Sequence, residues 1–148
     1  MTPRQIKLVR TSFALVAPIA PQAAALFYRH LFTADPAIAP MFKGNMADQG
    51  QRLMQMIGSA VALLDQPGQL LPVLRRLGAR HAGYGVQAGH YDTVGAALLR
   101  TLAEGLGDAF DAETCEAWVE MYEIVSRTMQ AAAAAAESAA MQPMAAAA

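Results

Sequence analysis

The chain has 148 residues, 55% of them hydrophobic, and a formal net charge of −1. That supplies one core and no concentrated basic surface of the kind nucleic acid requires. Its single cysteine, Cys115, excludes an intrachain disulfide and is compatible with a cytoplasmic setting.

Ala, Leu and Met are abundant, and Val, Ile and Thr form no alternating runs, so the expected fold class is all-α. Thr2-Pro3 reads as a cap followed by Pro in the first turn of a helix to about Val16. Pro18 and Pro21 break the apolar N-terminal stretch, which reads as neither signal peptide nor membrane span. A second helix to about Phe32 carries Ala24, Phe27, Tyr28 and Leu31 on one face. Asp35-Pro36 starts a short turn to about Met41, and Phe42 to Asn45 form a corner.

A third helix from about Asp48 has the apolar face Leu53, Ile57, Ala60, Val61 and Leu64, stopped by Asp65-Gln66-Pro67-Gly68. A fourth runs from about Leu70 to the glycines Gly83 and Gly85. A fifth opens at Gly89-His90-Tyr91-Asp92 and closes at Leu106-Gly107-Asp108. Asp111 caps the last, which shows Trp118, Tyr122, Val125 and Met129 on one face and continues into an alanine run before fraying ahead of Pro143. The expectation is about five long helices with short corner segments, packed obliquely as one domain over residues 1–140, with a frayed tail at 141–148.

Three histidines are candidates for chemistry. His30 lies about 200° round the helix from Tyr28, so it is expected to face water. His90 reads as a polar cap. His81 continues the stripe Leu70, Leu74, Leu77, which predicts a buried imidazole in need of a partner. Periodicity alone favours a satisfied core histidine. Yet Tyr28 and Gln49 also head or interrupt apolar stripes, each on a different helix, which suggests a shared polar object inside. No CxxC, HExxH, carboxylate cluster, phosphate loop or CxxCH attachment is present, so zinc, calcium and covalently held haem are not expected. One His is too few for a bare metal ion but enough for haem, where the porphyrin supplies four nitrogens.

These residues resemble the globins, most closely bacterial single-domain haemoglobins and the globin domain of flavohaemoglobins. The likeness rests on Phe27-Tyr28-Arg29-His30-Leu31-Phe32, Asp35-Pro36, Met41-Phe42, Arg52-Leu53-Met54-Gln55, Arg80-His81 and His90-Tyr91-Asp92-Thr93-Val94-Gly95. It covers about residues 2–130. It implies a globin fold and haem b (iron protoporphyrin IX). His81 would be the proximal iron ligand, Tyr28 and Gln49 the distal residues that stabilise bound ligand. Phe42 would wedge against the porphyrin. Leu53 and Ile57 would line the distal face, and Leu77, Val86 and Tyr91 the proximal side.

The implied function is reversible binding of oxygen, nitric oxide and carbon monoxide by a monomer or homodimer. Nitric oxide dioxygenation would require an external reductase, because the chain has no room for a flavin domain. A haem-based gas sensor and a cofactor-free helical module are the alternatives. One departure stands out: the last-helix glutamate of the flavohaemoglobin pattern falls near Ala133, so the proximal push on His81 is expected to be weak.

Overall fold

The computed structural model describes residues 1–141, and within them the secondary structure is entirely helical. Six α-helices follow in order: α1 Pro3–Val16, α2 Ala20–Ala34, α3 Met46–Ala62, α4 Pro67–Gly83, α5 Ala88–Leu106 and α6 Ala112–Met141. Short 3-10 turns occupy Ala17–Ile19, Pro36–Met41 and Gly107–Ala109. The tail expected at 141–148 lies, apart from Met141, outside the described residues, as does the fraying before Pro143.

The helix ends follow local chemistry. At α1, Gln5 N–H donates to Thr2 Oγ1 at 3.1 Å while Thr2 N–H donates to Gln5 Oε1 at 2.9 Å, a reciprocal cap. Asn45 Oδ1 accepts from Ala47 and Asp48 N–H, so α3 begins two residues before the expected Asp48. Asp111 Oδ1 accepts from Thr114 N–H at 2.8 Å and caps α6 as expected. α4 starts at Pro67 rather than near Leu70, because a proline at the first position lacks only a donor that the first turn leaves unpaired anyway.

Two apolar clusters form the core. The larger joins Val9, Val16, Leu70, Leu74, Tyr91, Leu102, Trp118 and Met129, and the smaller joins Phe27, Tyr28, Leu31, Ile38 and Ala97. Each large side chain buried this way contributes about 1.5–3 kcal/mol. Trp118 Nε1 donates to Ser12 Oγ at 2.8 Å, and Ser12 in turn donates to the carbonyls of Leu8 and Val9. Residues Pro3–Ala34 are long and apolar enough by composition to cross a membrane. The run is interrupted at Ala17–Ile19, and its Val9 and Leu31 are fully buried in the core.

Packing sets out two walls. α6 lies against α4 and α1, while α2 lies against α5 and α3. Glycine permits the closest approach: a Cβ at Gly78 of α4 would fall 2.2 Å from the Met129 carbonyl oxygen of α6. Gly50 does the same for α3, where a Cβ would sit 2.8 Å from Ala24 Cβ. α3 and α4, consecutive in sequence, barely touch, because each leans on other helices.

Candidate cofactor site

The α4 wall carries His81 near its C-terminal end. Its Nδ1 lies 2.7 Å from the Leu77 carbonyl oxygen, four residues back. A carbonyl only accepts, so Nδ1 carries the proton and Nε2 presents its lone pair outward. His81 is half-buried, less than its stripe predicts. The stripe's inner members Leu70 and Leu74 are buried, whereas the last turn, Arg80 to Gly83, is half-buried or exposed. Beyond it Val86 N–H donates to the His81 carbonyl at 3.2 Å, and Gly85, at φ +80, makes the turn that allows this. Leu77 and Val86 are half-buried and pack against the larger cluster.

The opposite wall carries Tyr28 and the residues around it. Tyr28 is 8% exposed and belongs to an aromatic cluster. Its ring stacks on Phe32 at 5.8 Å and meets Phe27 and Phe42 edge-on at 5.2 and 5.3 Å. Among the described residues its hydroxyl has no hydrogen-bond partner. Burial raises its pKa above the ordinary tyrosine value, with Arg52 pulling weakly the other way, so the group is a neutral donor. Phe42 is half-buried at the corner and also meets Phe32 edge-on at 5.4 Å. Leu53 and Ile57 line an apolar cavity of about 20 Å³ together with Phe27, Leu98 and Trp118.

Gln49 is placed differently from a free distal donor. It is half-buried at the head of α3, and its side-chain amide donates to the Lys43 carbonyl across the corner. One N–H remains for another acceptor. A cap-like role competes with the pocket role because the corner at Gly44, φ +89, turns the Lys43 carbonyl toward it.

Tyr91 is 7% exposed and in the larger cluster, with a buried hydroxyl that has no partner among the described residues. Its backbone carbonyl accepts from the hydroxyl of Tyr122, whose pKa burial pushes well up. Ala133, where a carboxylate was expected to be missing, is 9% exposed.

His90 is the expected cap: its Nδ1 accepts from Gln87 N–H at 3.0 Å. His30 corrects the sequence reading. Its side chain is 11% exposed rather than solvated, because α5 covers that face of α2. Nε2 lies 3.1 Å from Glu104 Oε1 without the alignment of a hydrogen bond. Sequence reasoning also missed Gly50 and Gly78, whose roles depend on what lies against them, and Ser12, which a helix wheel cannot pair with a tryptophan 106 residues away.

A family model described as Globin matches residues 25–129. A flavohemoprotein of Chromobacterium violaceum is 33% identical over 106 residues, 70% of this chain and 26% of its own length. One of Xylella fastidiosa is 29% identical over 132 residues, 87% of this chain and 33% of its own. The chain thus spans about a quarter to a third of the length of these relatives. Among solved structures, an engineered carbene transferase made from a candidate nitric oxide dioxygenase of Rhodothermus marinus superposes with a TM-score of 0.86 at 25% identity, covering 96% of this chain and 99% of that one. A bacterial globin from Campylobacter jejuni superposes at 0.78 with 23% identity, covering 89% and 96%, a likeness of fold.

Proposed function

The chain belongs to the globin family, and from that premise we propose that it holds haem b through His81 and reversibly binds oxygen and other diatomic gases. The residues present fit the group. His81 offers one imidazole nitrogen with its tautomer fixed by the Leu77 carbonyl, the kind of donor that would hold haem iron. Phe42, Leu53 and Ile57 are half-buried at the corner and along α3, and Leu77 and Val86 are half-buried along and just after α4, two helices that barely touch. When bound, haem supplies an iron centre at which diatomic gases bind and dissociate.

The chain's own residues determine what such a site favours. The Leu77 carbonyl orients the His81 ring and holds its proton on Nδ1, which keeps Nε2 basic toward metal. Tyr28 supplies a neutral hydroxyl with no competing partner, free to donate to a polar gas ligand. A hydrogen bond to a charged acceptor is worth about 1.5–3 kcal/mol. Gln49 already donates to Lys43, so Tyr28 is the principal donor and Gln49 a secondary one. The neighbouring rings of Phe27, Phe32 and Phe42 fix the Tyr28 ring plane.

Conversion of nitric oxide to nitrate, with electrons from a separate reductase, is the second part of the reading. It is supported by the likeness to flavohemoproteins and to the Rhodothermus protein. The observation that carries the whole is the His81–Leu77 hydrogen bond. The test is reconstitution with haem followed by absorption spectroscopy and oxygen titration. A Soret band that shifts reversibly with oxygen supports it. A protein that binds no haem, or binds it equally well after His81→Ala, overturns it.

A further inference from the structure

His30 and Glu104 meet between α2 and α5 and take no part in the function proposed above. On α5, Ala97 is buried among Phe27, Tyr28 and Leu31 of α2, so that face of α5 is the one turned to α2. Glu104 comes seven residues, about two turns, after Ala97 and continues the same face to its exposed end. On α2, His30 follows the buried Phe27 by three residues and is its neighbour on the helix surface. Two residues far apart in sequence are thus brought together by helix packing alone.

The pair is incomplete as a hydrogen bond. His30 Nε2 lies 3.1 Å from Glu104 Oε1 without the alignment a donated N–H needs, and this buried nitrogen has no other partner among the described residues. A buried polar atom left in this way calls for an occupant. An imidazole lone pair beside a carboxylate oxygen is half the shell of a metal ion. Zinc takes His nitrogen at about 2.0–2.1 Å and carboxylate oxygen at about 2.0–2.2 Å, which in a tetrahedron sets the two ligand atoms about 3.4 Å apart. Glu104 is exposed and its side chain flexible, so it can open the remaining few tenths of an ångström.

We propose that His30 and Glu104 bind a divalent transition metal of the zinc class, which ties α2 to α5. The nitrogen–oxygen pair suits such borderline ions and not calcium or magnesium, which take oxygen ligands. No third His, Cys, Asp or Glu joins the pair among the described residues, so water completes the shell from the exposed side. Arg100 opposes the metal: its Nε is 3.9 Å from the same Glu104 oxygen, and being exposed it must swing away. Because the ligands meet only when α2 and α5 are packed, the metal stabilises the folded chain. The site uses neither His81 nor Tyr28 and holds whether or not the protein carries a cofactor.

Isothermal titration calorimetry of the full chain with zinc chloride at neutral pH tests this, with thermal melting and far-UV circular dichroism on each variant. The wild-type protein is expected to bind zinc and to melt at a higher temperature as zinc is added. Glu104→Gln, an exposed change that keeps the side chain's size, is expected to raise the zinc Kd about tenfold or more, and His30→Gln at least as much. Even residues that only position a metal ligand are worth about 10- to 100-fold. Arg100→Gln removes the competing cation and should tighten binding. His90→Gln should leave it unchanged, because that ring already accepts from Gln87 N–H. The same differences are expected on a His81→Ala background, which removes the other free imidazole lone pair. A wild-type protein that binds no zinc overturns the proposal. So does zinc binding that His30→Gln leaves unchanged, or binding that Glu104→Gln leaves unchanged, which would be capture by a lone histidine.

Discussion

His81 Nδ1 and the Leu77 carbonyl oxygen are 2.7 Å apart, donor and acceptor one turn apart on the same helix. Leu77 lies inside α4, so its carbonyl takes the imidazole proton on its second lone pair, and the contact fixes the imidazole tautomer.

Replacing His81 by Ala removes the only imidazole so placed. The variant is expected to fold, because His81 is half-buried at the end of α4 and outside both core clusters. It should lose the Soret band on gel filtration and regain it with added imidazole. Retention of a wild-type spectrum without imidazole would refute the axial role.

Tyr28→Phe deletes one unpartnered hydroxyl while keeping the aromatic cluster. It should raise the oxygen off-rate about 10- to 100-fold, from about 1.5–3 kcal/mol of hydrogen bond. Gln49→Leu should change it only a few-fold, because that amide already serves Lys43. The Tyr28 pKa is raised above 10.0, so its neutral donor form prevails below that pH. The wild-type off-rate should therefore be flat between neutral pH and about pH 9 and rise only in stronger alkali. A rise near neutral pH in stopped-flow measurements would count against Tyr28 as the donor.

Tyr91→Phe makes the opposite kind of prediction. Its hydroxyl is buried without a partner among the described residues, so removing it sheds a desolvated polar group and no bond. Thermal melting should show no loss of stability, and a small gain is expected. Ser12→Ala is the contrast: it leaves Trp118 Nε1 buried and unpaired, at a cost of about 1–3 kcal/mol. A melting temperature lowered for Tyr91→Phe and unchanged for Ser12→Ala would invert the assignment.

Gly78→Ala places a methyl where the Met129 backbone lies. Backbone cannot rotate aside as a side chain can, so α4 and α6 must part. The expected cost is about 1–3 kcal/mol, or roughly 2–9 °C in melting temperature. An unchanged melting temperature would show that the two helices tolerate separation.

The helices and the caps Thr2 and Asp111 were legible because each acts within three residues, whereas Asn45 was read only as part of a corner although it caps α3. His81 was legible as a polar interruption of a leucine stripe, and Tyr28 likewise. What was not legible depends on elements that meet only in space. His30 was expected in solvent since it points away from Tyr28, yet α2 is flanked by α3 and α5 and offers more than one inward face. Gln49 sits where its stripe predicts, but the corner supplies a nearer acceptor. A glycine such as Gly50 carries no sign of the helix it admits.

The slight contact between α3 and α4 has a kinetic consequence. The larger core cluster joins Ala60, Val61 and Leu64 to Leu70 and Leu74 around the α3–α4 connection, so the parts free to separate without opening it are the start of α3 and the close of α4. Uptake of a flat cofactor should then be gated by a local hinge-like motion near Asp65–Gln66, on the timescale of loops rather than of unfolding. A chain arranged this way can finish folding before its iron group arrives.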